Sequence, residues 1–126
     1  MSVNVYVIEP DTAERQWLGG ALARLSDSVV MLDDGVESLL ADPPHGPACL
    51  VAAIDPDDAA QTLEHVRRLR DAGLMLPVIA LGPHSAFRTA VDIARLAQTD
   101  FLERPVSAHR LRLAVSKALA APDDDA

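Results

Sequence analysis

Carboxylates follow two apolar, β-type runs of the sequence and are the residues best suited to chemistry. Glu9 and Asp11 come after the run VNVYVI, and Asp55 opens a group of aspartates after the run CLVAAI. Carboxylate oxygens bind hard divalent cations, so Glu9, Asp11 and Asp55 are candidates for weak cation binding. The structural alternative is an ordinary strand exit at Asp55, with Asp57 or Asp58 capping the next helix.

The cysteine and histidine content excludes several other kinds of site. Cys49 is the only cysteine, which rules out an intramolecular disulfide and a thiolate metal cluster, and its apolar surroundings predict a small buried side chain. His45, His65, His84 and His109 have no spacing typical of a metal site. No residue set supports a hydrolase, a transferase or a redox enzyme, so we expect no catalytic residues and no cofactor.

Composition and charge indicate one globular domain. The 126 residues are 49% hydrophobic but only 3% aromatic, so aliphatic side chains must fill the core. The net charge of -8 argues against a surface that grips a nucleic-acid backbone. No apolar run approaches the ~20 residues that span a bilayer, and no signal-peptide pattern is present, so we expect a cytoplasmic protein. Residues 1–120 are predicted to fold, with 121–126 as a disordered acidic tail.

Short β-type runs alternate with helical patterns along the chain. Strands are predicted at 3–8, 28–32, 49–54, 77–81 and 99–102, with a helix after each, including helices at 59–72 and 85–97. Asp11 or Thr12 is expected to cap the first helix, Gly73 to end the third, and Ser107 to cap the last. This alternation predicts an α/β fold, a doubly wound, five-stranded parallel sheet of (βα)5 type with helices on both faces.

Four segments, VYVIEPDTAER, LPVIALGPH, AVDIARLAQTDF and DFLERP, resemble the receiver domain of bacterial response regulators. The resemblance covers nearly the whole chain and is closest to receivers of LuxR-type transcription regulators. Its most specific piece is DFLERP, which is similar to the family's DFLEKP. The resemblance implies the flavodoxin-like receiver fold and a role in two-component signal transduction or transcription regulation. It also implies a site at the carboxyl ends of the strands.

In that family the site holds Mg²⁺ and a phosphorylated aspartate, and most of the matching groups are missing here. The acid pair after the first strand corresponds to Glu9 and Pro10, and the phosphoacceptor aspartate to Ala53. The Thr or Ser that bonds the phosphoryl oxygen corresponds to Gly82, and the lysine to Arg104. Because phosphoryl transfer depends on neutralising dense negative charge, this pattern predicts a degenerate pocket, that of a pseudo-receiver.

The same segments leave alternatives open. Asp55 lies two positions beyond Ala53, on the same face of the predicted strand and roughly 6.6 Å further along it, so it is a candidate displaced acceptor with weak Mg²⁺ binding. Gly82, Ala53 and Pro10 also leave space, which makes a small-molecule-sensing pseudo-receiver a further alternative. Phe101 matches the aromatic residue that changes rotamer when receivers are activated. Without the phosphate-binding hydroxyl, we expect Phe101 to be static.

Receivers of this family form dimers and dock output domains through helix 4, strand 5 and helix 5. We expect a homodimer through that surface and a C-terminal output domain or a partner protein, with no contact of this domain with nucleic acid or membrane. The predicted interface residues are Val91, Asp92, Arg95, Gln98, Arg110 and Arg112. The resemblance and the emptied pocket together predict phosphorylation-independent protein binding.

Overall fold

Strands and helices alternate through the computed structural model, which describes residues 3–96 and 99–120. The strands are β1 (Asn4–Ile8), β2 (Ser28–Met31), β3 (Ala48–Ala53), β4 (Val78–Gly82) and β5 (Thr99–Glu103). The helices are α1 (Thr12–Leu22), α2 (Glu37–Ala41), α3 (Ala59–Asp71), α4 (Phe87–Ala94) and α5 (Ala108–Ala120), and a 3-10 turn (His84–Ala86) precedes α4. The predicted order of five βα units is confirmed, whereas the predicted acidic tail at 121–126 lies outside the described residues.

One parallel sheet contains all the strands, in the order β2-β1-β3-β4-β5. The winding direction reverses between β1 and β3, because β2 lies on one side of β1 and the later strands lie on the other. Crossover connections place α1 and α5 on one face of the sheet, and α2, α3 and α4 on the opposite face. This is the predicted doubly wound, flavodoxin-like α/β fold.

Aliphatic side chains of the central strands alternate between two cores. Leu50 and Ala52 of β3 face α2, α3 and α4, while Cys49 and Val51 face α1 and α5. Since β3 and β4 are covered on both faces, their sequences are continuous apolar runs rather than alternating ones. Cys49 is fully buried as predicted, and burial raises the pKa of its thiol to about 12.

Local signals set most of the helix ends. Asp11 caps α1, since its Oδ2 accepts the amide hydrogen of Glu14 at 2.9 Å, and Ser107 Oγ accepts an amide hydrogen of α5 at 3.0 Å. Gly73 follows α3 with a left-handed φ of 85°, which glycine adopts without strain. Asp58, one of the two predicted caps of α3, occupies its N-cap position, but its side chain makes no capping hydrogen bond there. Within the described ranges, no helix combines the length and apolarity needed to cross a membrane.

Candidate functional site at the carboxyl ends of the strands

The carboxyl ends of four strands meet at one edge of the sheet. Ala53 of β3 pairs in register with Leu81 of β4, Gly82 pairs with Glu103 of β5, and the end of β1 lies on the other side of β3. This edge contains the point where the winding reverses, which is where open α/β sheets bind ligands. The fold therefore brings to it all the predicted pocket positions: Glu9, Pro10, Ala53, Gly82 and Arg104.

An ion pair between Arg104 and Glu9 is the central contact of this edge. Arg104 Nη2 lies 2.6 Å from Glu9 Oε1, and Arg104 Nη1 lies 3.3 Å from Glu14 Oε1. Glu9 is only 6% exposed, and its other oxygen accepts the amide hydrogen of Asp11 at 3.1 Å. A buried carboxylate is costly unless it is paired and hydrogen-bonded, and both oxygens of Glu9 are engaged. The guanidinium charge is thus neutralised by two carboxylates of the chain itself.

The end of β3 carries no acid. Ala53 contributes only a methyl group there, and its carbonyl oxygen accepts a hydrogen bond from Thr62 Oγ1 at 3.4 Å. Pro10, at the second position of the expected acid pair, has no side-chain oxygen. Across residues 3–96 and 99–120, no three His, Cys, Asp or Glu side chains are grouped so that they could hold a metal ion. Since Mg²⁺ needs several oxygen ligands, the donors present do not fit this ion.

Gly82 lacks a side chain, yet the space beside it is filled. A Cβ atom at Gly82 would lie 3.0 Å from Ala86 Cβ, 3.4 Å from Ile54 Cβ and 3.7 Å from the ring of Phe101. A separation of 3.0 Å between carbons is well inside their usual contact distance of about 3.5–4.0 Å. A side chain at position 82 would therefore require the turn before α4 to move away from β4 by a few tenths of an ångström. This packing does not favour the expected small-molecule space at Gly82.

Two phenylalanines connect that packing to the surface of α4. Phe101 of β5 is half-buried beside Gly82, and its ring meets Phe87 edge to face, with the ring centroids 6.2 Å apart. Phe87 is 56% exposed at the start of α4, one helical turn before Val91. Phe101 was predicted from the sequence as a residue of interest, whereas Phe87 was not. The signal available was the four-residue spacing of Phe87 and Val91, which places both on one side of a helix.

Asp55 lies in a turn beyond the end of β3. Because the strand stops at Ala53, Asp55 is not on the strand face that a displaced acceptor was expected to share. Asp55 Oδ1 accepts the amide hydrogen of Asp57 at 2.9 Å, and the carbonyl oxygen of Asp55 accepts that of Asp58 at 3.0 Å. Such contacts are typical of an aspartate that forms a turn. The strand-exit alternative thus describes the observed contacts of Asp55.

Two open crevices flank the Arg104–Glu9 pair. One, of about 450 Å³, lies between α1 and the segment after β5, and is lined by Glu14, Trp17, Arg104, Pro105 and Val106. The other, of about 320 Å³, lies on the side of β2 and α3, and its lining includes Glu9, Pro10, Arg15, Asp33 and His65. Arg15 is engaged there by Asp33, with Nη1 2.7 Å from Oδ1. In both crevices, the arginines of the lining are already paired with carboxylates of the chain.

The predicted interface residues lie at one side of the molecule. The structure describes Val91 and Asp92 on α4, Arg95 directly after it, and Arg110 and Arg112 on α5. All are at least partly exposed, whereas Gln98 lies outside the described residues. Between the two helices, β5 exposes Asp100 and Glu103. We refer to Phe87, Val91, Arg95, Asp100 and Glu103 as the α4–β5 surface. It combines two exposed apolar side chains, Phe87 and Val91, with exposed charges of both signs.

The chain is similar in sequence to a curated transcriptional regulatory protein. No protein-family model matches the chain. The transcriptional regulatory protein FixJ of Bradyrhizobium diazoefficiens is 27% identical over 116 residues, which amount to 92% of this chain and 56% of FixJ. The chain therefore spans about half the length of the curated relative that it matches.

Solved structures share the fold. Full-length FixJ from B. japonicum superimposes with a TM-score of 0.76 and 26% identity, over 93% of this chain and 57% of that one. The receiver domain of NtrX from Brucella abortus superimposes with a TM-score of 0.77 and 21% identity, over 94% of this chain and 100% of that one. The N-terminal signal receiver domain of a two-component response regulator from Bacteroides fragilis superimposes with a TM-score of 0.80 and 14% identity. The match covers 97% of this chain and 100% of that one. The receiver fold inferred from the sequence segments is thereby confirmed.

Proposed function

We propose that this chain is a receiver-like module of a two-component or transcription regulator, and that it acts by protein binding and dimerisation without being phosphorylated. The observation that carries the proposal is the Arg104–Glu9 ion pair at an edge where Ala53 stands in the acceptor position. Phosphoryl transfer requires an acceptor oxygen and cations that can meet the charge of the phosphoryl group. Here the acceptor position holds a methyl group, and the cation is already engaged by Glu9 and Glu14.

The match to FixJ supports the receiver role and suggests what the module works with. FixJ is a transcriptional regulatory protein, and this chain matches 56% of its length. A receiver of this kind transmits a signal only through a second module. We therefore propose a C-terminal output domain or a separate protein as the partner. The proposal that the chain is most similar to receivers of LuxR-type regulators is supported by the four sequence segments described above, of which DFLERP is the most specific.

The α4–β5 surface, together with Arg110 and Arg112 of α5, is the proposed dimer contact. Phe87 and Val91 supply an apolar centre, and the exposed charges supply a polar rim, which is the usual organisation of a protein interface. In a two-fold dimer each patch meets its own copy, so Arg95 of one subunit can approach the acids of β5 on the other. None of these contacts depends on a phosphoryl group, so we expect a dimer in the absence of any phosphate donor.

Amide NMR with Mg²⁺ and beryllofluoride, a mimic of the phosphoryl group on aspartate, tests phosphorylation independence directly. We expect the spectrum to be unchanged, because there is no carboxylate at position 53 to take the mimic. Shifts centred on Glu9, Asp55 and Arg104 would contradict the proposal.

Labelling with acetyl phosphate and Mg²⁺ provides an independent test and identifies any acceptor. We expect no incorporation into the parent protein. If label is incorporated, Asp55→Asn and the matched variant Asp57→Asn, in the same turn, decide its position. Loss of label in Asp55→Asn alone would establish Asp55 as a displaced acceptor and replace the proposal by that alternative.

Light scattering tests the dimer. At roughly tens of micromolar protein, where a contact with a Kd of about 1 µM is saturated, we expect twice the monomer mass without a phosphate donor. Arg95→Glu should yield a monomer, whereas Arg24→Glu, which alters an exposed arginine after α1, should remain dimeric. A monomeric parent, or a dimer insensitive to Arg95→Glu, would count against the α4–β5 surface.

A further inference from the structure

Arg70, in the last turn of α3, is a half-buried cation that has no carboxylate partner within the described residues. All three of its nitrogen positions donate to backbone carbonyls instead. Nη1 lies 2.6 Å from the oxygen of Leu74, Nη2 2.8 Å from that of Leu76, and Nε 3.2 Å from that of Leu96. Burial lowers the pKa of Arg70, as expected for a charge withdrawn from water. The guanidinium therefore depends on these three acceptors.

The acceptors belong to two different segments. Leu74 and Leu76 lie in the loop from α3 to β4, whereas Leu96 follows the end of α4, 26 positions from Arg70 in the sequence. A guanidinium is planar, and its N–H directions are fixed, so it satisfies all three carbonyls only when both segments hold one arrangement. Displacement of the end of α4 would leave a half-buried charge short of an acceptor, which is costly.

The opposite end of α4 is fixed by packing. Ala86 lies close against Gly82, and Phe87 contacts Phe101. With Arg70 at the other end, the helix is fastened to the rest of the fold at both of its termini. In the middle, α4 packs on α3 and β5 through Ala90 and Ile93. Of these contacts, only that of Arg70 bridges the exit of α4 and the entry of β4.

We propose that Arg70 is a positioning residue that fastens the C-terminal end of α4 and so keeps the α4–β5 surface in a single arrangement ready for binding. Phosphorylation is one way to set the position of a signalling helix. Here the guanidinium of Arg70, which is always charged and hydrogen-bonded, sets it instead. The link to dimerisation rests on the proposed function. The attachment of α4 by the hydrogen bonds of Arg70, which we call the tether, does not rest on it, because its effect on hydrogen exchange can be measured on the monomer.

Native-state hydrogen exchange tests the tether, with variants Arg70→Met and Arg70→Lys and the matched control Arg67→Met. Arg67 is on the same helix, is exposed, and pairs with Glu64 one turn away. We expect the amides of 93–96 to exchange about tenfold faster or more in both Arg70 variants, while the amides of β1 change no more than in Arg67→Met. Lysine should not rescue the tether, because a single ammonium lacks the forked geometry that reaches all three carbonyls.

Either of two results would overturn the tether. One is equal exchange at 93–96 in Arg70→Met and Arg67→Met. The other is an acceleration spread evenly over the sheet, which would indicate general destabilisation. If Arg70→Met does not fold, the Nε–H resonance of Arg70 in the parent protein decides: slow exchange with solvent supports the bond to Leu96, and exchange as fast as that of Arg67 excludes it.

Dimerisation is measured separately, so that failure of the two proposals can be distinguished. If the parent dimerises, we expect Arg70→Met to raise the dimer Kd by roughly fivefold or more, and Arg67→Met to leave it unchanged. Faster exchange at 93–96 with an unchanged Kd would overturn the link between Arg70 and binding. A monomeric parent would contradict the proposed function, and the exchange data would still decide the tether.

Discussion

At the scale of single residues, Glu9 illustrates how neighbours determine what a retained acid does. The sequence predicted its place at the end of β1, because an apolar run ends there. It did not predict its partner, because Arg104 is 95 positions away and the pairing depends on the paths of both side chains. In the structure, both oxygens of Glu9 are engaged within the protein. An acid expected as a remnant of a metal site is thus part of an internal ion pair.

Removal of the Glu9 charge should be costly. Glu9→Gln leaves the partly buried Arg104 without its closer partner, and we expect a loss of about 3 kcal/mol in the free energy of unfolding, measured by urea denaturation. Glu14→Gln is the matched control, because Glu14 contacts the same guanidinium but its side chain is 44% exposed. Its loss should stay below about 1 kcal/mol. Equal losses for both variants would show that burial of Glu9 adds nothing to the pair.

His65 should make stability depend on pH. Burial lowers its pKa and the charge of Arg68 lowers it further, against the opposing effects of Glu64, Asp58 and Glu37. Because the folded protein then binds this proton less tightly than the unfolded chain, stability is complete above the ordinary histidine pKa of about 6.5 and declines as pH falls toward the lowered value. We expect the urea midpoint to decrease from about pH 7.5 to about pH 5.5, and to decrease less in His65→Gln.

The control for this pH dependence is His109→Gln, which changes a histidine exposed on α5. It should reproduce the slope of the parent protein. If His65→Gln also reproduced that slope, the decline would have to come from other groups, and the buried histidine would have no measurable effect on stability.

At the scale of elements, the packing of the turn before α4 against β4 depends on Gly82. Gly82→Ala should cost about 1–3 kcal/mol of unfolding free energy, because the new Cβ would stand 3.0 Å from Ala86 Cβ. It should also shift the ring resonances of Phe101. Gly20→Ala is the control: no atom outside the helix backbone lies within 4 Å of that Cβ site in α1, so the change should stabilise by about 0.5–1 kcal/mol. A neutral Gly82→Ala would mean that the turn yields at little cost.

Elements were predictable where a local pattern determines them and less so where a distant segment intervenes. The β-type runs and the capping residues of α1 and α5 gave the correct elements. The predicted helix at 85–97 begins instead with a 3-10 turn, because its start is packed against β4. Its α-helical part ends at Ala94, and residue 97 lies outside the described residues. In α3, Arg68 lies four residues after Glu64 but forms its ion pair with Glu37 of α2. Tertiary proximity decided both cases.

At the scale of the whole molecule, the alternation of strands and helices was enough to predict the architecture. A parallel sheet requires a crossover between successive strands, and the continuous apolar runs of β3 and β4 required cover on both faces. The contents of the sheet edge were less predictable. The positions that match the receiver family indicated which functional groups are missing. The filling of the space beside Gly82 by Ala86, Ile54 and Phe101 depends on differences of less than 1 Å in interatomic distance, which no residue pattern encodes.

The Arg104–Glu9 pair also has a consequence for the lifetime of the folded protein. It joins the end of the first strand to the segment after the last, a separation of 95 residues, and contacts across such long loops tend to form late in folding. Glu9→Gln should therefore raise the unfolding rate constant by nearly the full lost stability and leave the refolding limb of a stopped-flow chevron almost unchanged. Slowed refolding would place the pair in the transition state instead. A contact that forms late slows escape from the native state, so this internal ion pair prolongs the time that the receiver fold persists before it opens.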